Sequence, residues 1–327
     1  MESNDILENK TILITGGAGS FGQKFIEIVL RDHNPKRIRI YDNRELAQVE
    51  VERKFNDPRI RFLIGDVRDV DRLNRAMHGV DIVVHAAALK HVPVCEYNPI
   101  EAVKTNVNGA INVIDAAINN SVEKVIAIST DKAVQPVNLY GATKMAAEKI
   151  FIQGNSYSGD KRTIFSCSRY GNVMGSSGSV VPLFLEQKKT GTLTITDEKM
   201  TRFWITLEQG VKFVINSIGR MHGGEIFVPK IPSTKIMDLA KAIAPDSKIE
   251  VIGIRPGEKV DEVLMTADEA RHAKEFDGYF IIEPEFSFWN KDNCKEGKPL
   301  SGGFSYSSNN NDKWLVEEDI KKIISIA

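Results

Sequence analysis

The chain of 327 residues is 42% hydrophobic, enough to fill the core of one large domain or two smaller ones. Its 43 Lys+Arg and 44 Asp+Glu nearly cancel, which argues against a nucleic-acid footprint and against an acidic, disordered partner segment. Three widely spaced cysteines (Cys95, Cys167, Cys294) fit neither a disulfide framework nor a metal cluster. With the polar start Met1-Glu-Ser-Asn-Asp5 and no apolar run of membrane length, they predict a soluble, cytoplasmic protein.

Thr11 to Ile14 is an apolar run that predicts a short buried strand. It enters Thr15-Gly-Gly-Ala-Gly-Ser-Phe-Gly22, followed by a helical pattern with Phe25, Ile26, Ile28, Val29 and Leu30. Gly16, Gly19 and Gly22 have the spacing at which backbone N–H groups approach a pyrophosphate and the helix packs on the strand. Gly16, Ala18, Gly19, Ser20, Phe21 and Gly22 are therefore candidate dinucleotide contacts. The second strand, Arg37 to Tyr41, leads to Asp42, Asn43 and Arg44. An acid there suits the ribose hydroxyls of NAD and an arginine suits the 2′-phosphate of NADP, so the signal is mixed. A third strand, Arg61 to Arg68, carries Asp66 and Val67 toward the adenine. A fourth, Asp81 to Ala88, ends in small residues, Ala86 and Ala88, past which a cofactor can run. His85 lies inside that apolar run and reads as a core histidine. Lys90 follows at the sheet edge, as a phosphate or substrate contact. Asn106, in a helical stretch from Pro99 to Asn119, can bridge helix and strand.

Lys124 to Ile128 reads as a buried parallel strand, whose carboxyl end delivers Thr130, Asp131 and Lys132 into the crevice where ligands bind in open α/β sheets. A helix begins after Asn138 and places Tyr140 and Lys144, four apart, on one face. An ammonium beside a phenol lowers its pKa, so Tyr140 can take a proton from an alcohol while hydride leaves the same carbon. Thr130 can hydrogen-bond that oxygen. Asp131 and Lys132 exceed what a simple dehydrogenase needs. A neutral Lys132, its pKa lowered by burial, can remove a proton next to a ketone, and a protonated Asp131 can donate to a departing hydroxyl. Beyond this point a strand is predicted from Thr163 to Arg169, and a turn-rich stretch from Tyr170 to Pro182 carries Asn172. Next come a helix from Leu183 to Lys189, a strand from Leu193 to Thr196, and Thr201 to Ile205 leading into a helix that reaches Met221. Glu225 to Val228 is predicted as the last sheet strand. Lys235 to Ala244 is helical, Glu250 to Ile254 is a strand before Arg255-Pro-Gly-Glu258, and Glu317 to Ile326 is a closing helix. The alternation predicts an α/β fold, a right-handed doubly wound sheet with a smaller lobe over its carboxyl edge.

The glycine turn, Asp66, Thr130 and the Tyr140/Lys144 pair resemble the extended short-chain dehydrogenase/reductase superfamily. Ser-Thr-Asp-Lys-Ala133, Asn-Leu-Tyr-Gly-Ala-Thr-Lys144, Arg-Tyr-Gly-Asn-Val173, Met-Thr-Arg-Phe-Trp204, Met-His-Gly-Gly-Glu-Ile-Phe-Val-Pro-Lys-Ile-Pro232 and Arg-Pro-Gly-Glu-Lys259 narrow it. Together they resemble the inverting UDP-N-acetylglucosamine 4,6-dehydratases of pseudaminic acid biosynthesis. The resemblance implies a Rossmann-like doubly wound parallel sheet with a smaller α/β substrate lobe. Residues 1–168 and about 203–232 then form the dinucleotide-binding domain, and about 169–202 with 233–327 the nucleotide-sugar-binding lobe. It implies NADP, with NAD the alternative, tightly bound and regenerated in each turnover. It also implies UDP-N-acetylglucosamine as substrate, contacted by Lys90, Asn172, Arg202, Arg255 and Glu258, and a homo-oligomer, dimer or hexamer. Asp42-Asn43-Arg44-Glu45 departs from the Ser-Arg-Asp-Glu of that family. A UDP-sugar 4-epimerase, a bifunctional 4,6-dehydratase/5-epimerase and a non-catalytic dinucleotide-sensing regulator are the competing readings.

Overall fold

Runs of buried β-branched residues build the centre of the molecule, a ten-stranded sheet. The computed structural model describes residues 5–159, 163–174, 180–285, 290 and 293–326. The first half alternates β1 (Thr11–Thr15), α1 (Ser20–Asp32), β2 (Arg37–Asp42), α2 (Glu45–Phe55), β3 (Ile60–Ile64), α3 (Val70–Met77) and β4 (Ile82–His85). After α4 (Val92–Tyr97) and α5 (Pro99–Val103), a single π turn at Lys104–Asn108 leads into α6 (Gly109–Asn119). Then come β5 (Lys124–Thr130), α7 (Leu139–Gly154) and β6 (Ile164–Tyr170). The later elements are β7 (Asn172–Val173), α8 (Val180–Gln187), β8 (Thr192–Ile195), β9 (Thr201–Ile205), α9 (Leu207–Arg220) and β10 (Ile226–Pro229). They continue with β11 (Ser233–Lys235), α10 (Ile236–Ile243), β12 (Lys248–Val251), β13 (Val263–Met265), α11 (Ala267–Ala270), β14 (Ala273–Phe276) and β15 (Tyr279–Ile282). Two short strands, β16 (Lys298–Pro299) and β17 (Tyr306–Ser307), precede α12 (Glu317–Ile326).

Across the sheet the order is β3-β2-β1-β4-β5-β6-β10-β15-β14-β16, parallel as far as β10. The chain runs outward from β1 to β3 and then crosses to β4, so the strand order reverses between β1 and β4. That reversal is where a doubly wound sheet opens a ligand crevice, and the fold is Rossmann-like. The glycine turn and the end of β5 both emerge there.

Three expectations shift. Asp66 and Val67 lie beyond β3, which stops at Ile64, because Gly65 packs so closely under the Tyr41 ring that a Cβ would overlap it. Glu225 to Val228 contributes the last parallel strand but not the last of the sheet: β15, β14 and β16 extend it antiparallel. The β14–β15 hairpin turns at Asp277-Gly278, with Gly278 at φ +78°, a left-handed conformation open to glycine. Leu264, Met265, Phe280 and Tyr306 join the core beside this sheet. The strand expected at Glu250 to Ile254 sits earlier, as β12. Of the turn-rich stretch, 175–179 lie outside the described residues.

The smaller lobe has its own core, in which Val181, Phe184, Leu193, Ile195, Trp204, Leu239 and Ile320 meet. Buried Arg169 in β6 fastens α7 to β13 and α11. Its guanidinium donates to both Glu148 oxygens at 3.0 and 2.7 Å, to Glu269 at 2.9 and 3.2 Å and to the Leu264 carbonyl at 2.9 Å. No described helix is long and apolar enough to cross a membrane.

Candidate active site

β5 ends in extended Thr130, and the chain folds at once into a single 3-10 turn, Asp131–Ala133. Thr130 Oγ1 donates to Asp131 Oδ1 at 2.9 Å and accepts from the Lys132 amide at 3.3 Å. Asp131 is fully buried. Its Oδ1 also receives Lys132 Nζ at 3.1 Å, while Oδ2 has no hydrogen-bond partner among the described residues. Lys132 Nζ further donates to Asn172 Oδ1 at 3.2 Å and pairs with Glu262 Oε1 at 3.4 Å. Sequence reasoning expected a neutral Lys132, and the geometry corrects this. Burial does push the ammonium down, but the carboxylates of Asp131 and Glu262 outweigh burial and the nearby Arg202, and hold Lys132 above the ordinary lysine range.

The helix α7 starts at its Asn138 cap, whose side chain accepts from the Gly141 amide at 2.8 Å. Gly141 rests on the Lys132 carbonyl so closely that a Cβ there would overlap it, which seats the first turn of α7 on the 3-10 turn. Tyr140 is thereby set beside Thr130, Asp131 and Lys132. Burial pushes its phenol up to about 12, opposed by the Lys132 ammonium and by hydrogen bonding with Thr130. The expected lowering by Lys144 is therefore corrected as well. Buried Lys144 donates to the Ile128 carbonyl at 2.7 Å, and burial lowers its pKa. The cation that favours a Tyr140 anion in this structure is Lys132.

The glycine turn has the shape a dinucleotide requires. Gly16 sits at φ +68°, and a Cβ there would press on the Ala87 backbone at 3.0 Å. Gly22 touches Gly17 so tightly that a side chain is excluded. Ala18, Gly19, Ser20 and Phe21 bring the chain into the N-terminus of α1, where free amides and the helix dipole suit a pyrophosphate. Asp42 is 5% exposed and accepts from the Ala18 amide at 3.1 Å; Arg44 forks onto it with two bonds of 3.0 Å. Asn43 bonds Asp66 at 3.2 Å, Arg68 pairs with the same carboxylate, and Val67 is buried beside them. Ala86 and Ala88 line the loop after β4. Buried Asn106 ties that loop down through the Leu89 amide (2.8 Å) and carbonyl (2.9 Å), and reaches Thr143 at 3.0 Å. Lys90 is exposed just beyond. His85 is a satisfied core histidine, 2.8 Å from Thr15 Oγ1.

Among the expected substrate contacts, Asn172 lies on Lys132. Arg202 is buried, with its guanidinium donating to the carbonyls of Thr201, Lys259 and Val260 at 2.7 to 2.9 Å. In this structure it holds the 259–260 backbone. Arg255 is exposed, and Glu258 Oε2 accepts from the Arg255 amide at 3.3 Å. Their turn docks on α7 through Asn138, which donates to the Gly257 carbonyl at 2.8 Å. Sequence reasoning missed Glu262, 2% exposed, and Lys259 as a charged neighbour, 3.7 Å from it. No spacing signal could have found Glu262, since it meets Lys132 across 130 residues of chain.

A family profile described as polysaccharide biosynthesis protein matches residues 12–284. The chain is 52% identical to a UDP-N-acetylglucosamine 4,6-dehydratase (inverting) of Campylobacter jejuni, over 98% of each chain. It is 46% identical to a UDP-glucose 4-epimerase of Rickettsia conorii, over 84% of this chain and 83% of that one. In three dimensions it resembles the X-ray structure of Pen from Bacillus thuringiensis, with TM-score 0.89, 39% identity and 98% of each chain covered.

Proposed function

The chain belongs to the polysaccharide biosynthesis protein family, and from that premise we propose that it is an inverting UDP-N-acetylglucosamine 4,6-dehydratase, a hydro-lyase. The observation that carries this reading is the Thr130-Asp131-Lys132 turn packed against Tyr140, which joins an acid and a base to an oxidation pair. When bound, a nicotinamide dinucleotide supplies the hydride acceptor for the sugar C4 and the donor that reduces C6. Tyr140 begins as the phenol and must first release its proton to solvent; as a phenolate beside the Lys132 ammonium it takes the proton of the C4 hydroxyl, and Thr130 hydrogen-bonds that oxygen. The resulting ketone acidifies C5. Lys132 begins as an ammonium, so it must unload before it can act. Transfer of one proton across the 3.1 Å contact to Asp131 arms both groups, leaving a neutral amine to remove the C5 proton and a carboxylic acid to release the C6 hydroxyl as water. Tyr140, protonated in the first step, returns a proton to C5 from the opposite face. The product is UDP-2-acetamido-2,6-dideoxy-β-L-arabino-hexos-4-ulose.

For the cofactor we favour NADP. Arg44 flanks the glycine turn and partly neutralises Asp42, which leaves its outer edge for a 2′-phosphate. The mass of the dinucleotide extracted from purified protein tests this, and NAD alone would mean that Asp42 takes the ribose hydroxyls instead. Lys90, Arg255 and Glu258 remain the proposed contacts to the UDP moiety, Asn172 and Arg202 act through Lys132 and the 259–260 backbone, and Lys144 holds the cofactor ribose. The deciding experiment is incubation with UDP-N-acetylglucosamine followed by proton NMR. A new C6 methyl doublet with L-arabino ring couplings supports the reading. An initial D-xylo product refutes inversion. Recovery of the galacto sugar alone favours a 4-epimerase, the second reading that the Rickettsia relative brings.

A further inference from the structure

Glu262 has no part in the steps just given, yet it is a deeply enclosed charge beside them, 2% exposed. Its backbone is fixed on both sides by buried Ser308, whose Oγ accepts from the Glu262 amide at 2.9 Å and whose amide donates to the Glu262 carbonyl at 2.8 Å. Its Oε1 is 3.4 Å from Lys132 Nζ and 3.7 Å from Arg202 Nε; Oε2 is 3.7 Å from Lys259 Nζ and has no hydrogen-bond partner among the described residues. Both competing cations are already committed elsewhere, Arg202 to three carbonyls and Lys259 to the Val134 carbonyl at 2.5 Å. Lys132 is the nearest cation to Glu262.

Resting on the dehydratase reading, we infer that Glu262 is a positioning residue: from the segment before β13 it holds the Lys132 amine at the end of β5 and governs how readily that amine gives up its proton. The charged and titratable groups facing Lys132 are Asp131 on its own turn, Tyr140 on α7, Arg202 on β9, and Lys259 and Glu262 on the later segment. Of these, Asp131 and Glu262 are the anions, and Asp131 is consumed as the acid. Glu262 is the carboxylate that stays. The direction of the Lys132 pKa agrees with this arrangement.

The test reads the neutral amine directly. The Lys132 side chain is 27% exposed, so a small acylating reagent can reach it. Purified full-length protein is treated briefly with acetic anhydride at pH 8, and acylation of Lys132 is followed by peptide mass spectrometry. In Glu262→Gln the rate should rise roughly tenfold or more, since each pKa unit lost enlarges the neutral fraction tenfold. Glu262→Asp should return it to near the wild-type rate. Lys259→Met removes a cation that competes for Glu262 and should slow the reaction, which keeps the inference testable if Glu262→Gln does not fold. Rates equal to wild type in the folded variants overturn it. With UDP-N-acetylglucosamine, the rising limb of kcat/KM against pH should move to lower pH in Glu262→Gln, whereas a merely structural role lowers activity without moving the limb. If wild type gives no product, the dehydratase reading fails while the acylation comparison still stands.

Discussion

Tyr140 keeps its proton in the free protein, because burial outweighs the Lys132 ammonium beside it. Oxidation therefore depends on a hydroxyl whose removal leaves the ring and its packing in place. Tyr140→Phe should lower the rate of product formation roughly a thousandfold or more with little change in melting temperature, measured by NMR and thermal unfolding. His85 yields a prediction about stability. Burial, followed by the charge of Lys144, lowers its pKa from the ordinary 6.5 of histidine to about 3. The unfolded chain thus binds a proton that the folded one refuses, so this contribution is complete above pH 6.5 and is lost as pH falls toward 3. Between pH 7 and pH 5 it amounts to about 2 kcal/mol. Urea unfolding should show His85→Asn less sensitive to that pH change by about this amount; equal sensitivity would contradict a neutral buried imidazole. The placement of Tyr140 beside Thr130 was legible in the sequence, because a strand end and a helix cap fix where they emerge. The charge of Lys132 was not, because it is set by a partner that only the tertiary fold brings in.

At the scale of elements, the site depends on how closely α7 sits on the 3-10 turn. Gly141 is the contact, and any side chain there must push helix and turn apart. Gly141→Ala should keep the fold yet reduce turnover roughly a hundredfold, since displacements of about an ångström carry that cost. Wild-type turnover with unchanged cofactor content would remove this contact from the argument. The elements around it were readable for stated reasons: apolar runs gave the parallel strands, and Asn138 marked the start of α7. The β14–β15 hairpin escaped notice although Asp277-Gly278 marks its turn, because Lys274 and Glu275 blur the alternation in the first strand. Arg169 read only as a strand residue. Its link to Glu148 and Glu269 joins segments far apart in sequence, which periodicity cannot register.

For the molecule as a whole, the site straddles a seam. The Arg255–Glu258 turn rests on Asn138, and Val251 at the end of β12 with Ile252 and Ile254 in the loop between are about half exposed. Hydrogen–deuterium exchange across 251–258 should slow at least roughly fivefold on adding UDP, as an exposed loop becomes ordered by ligand. No change would take this turn out of the substrate site. The sheet order also bears on how the chain is made. β6 ends at Tyr170, but its neighbour β10 begins only at Ile226, 56 residues later. At a synthesis rate of about 5–20 residues per second, roughly 3 to 11 seconds separate the two on the ribosome. Throughout that interval one whole side of β6 carries unpaired amides and carbonyls, next to side chains destined for the interior. The nascent chain is then most open to pairing with a neighbouring copy of itself.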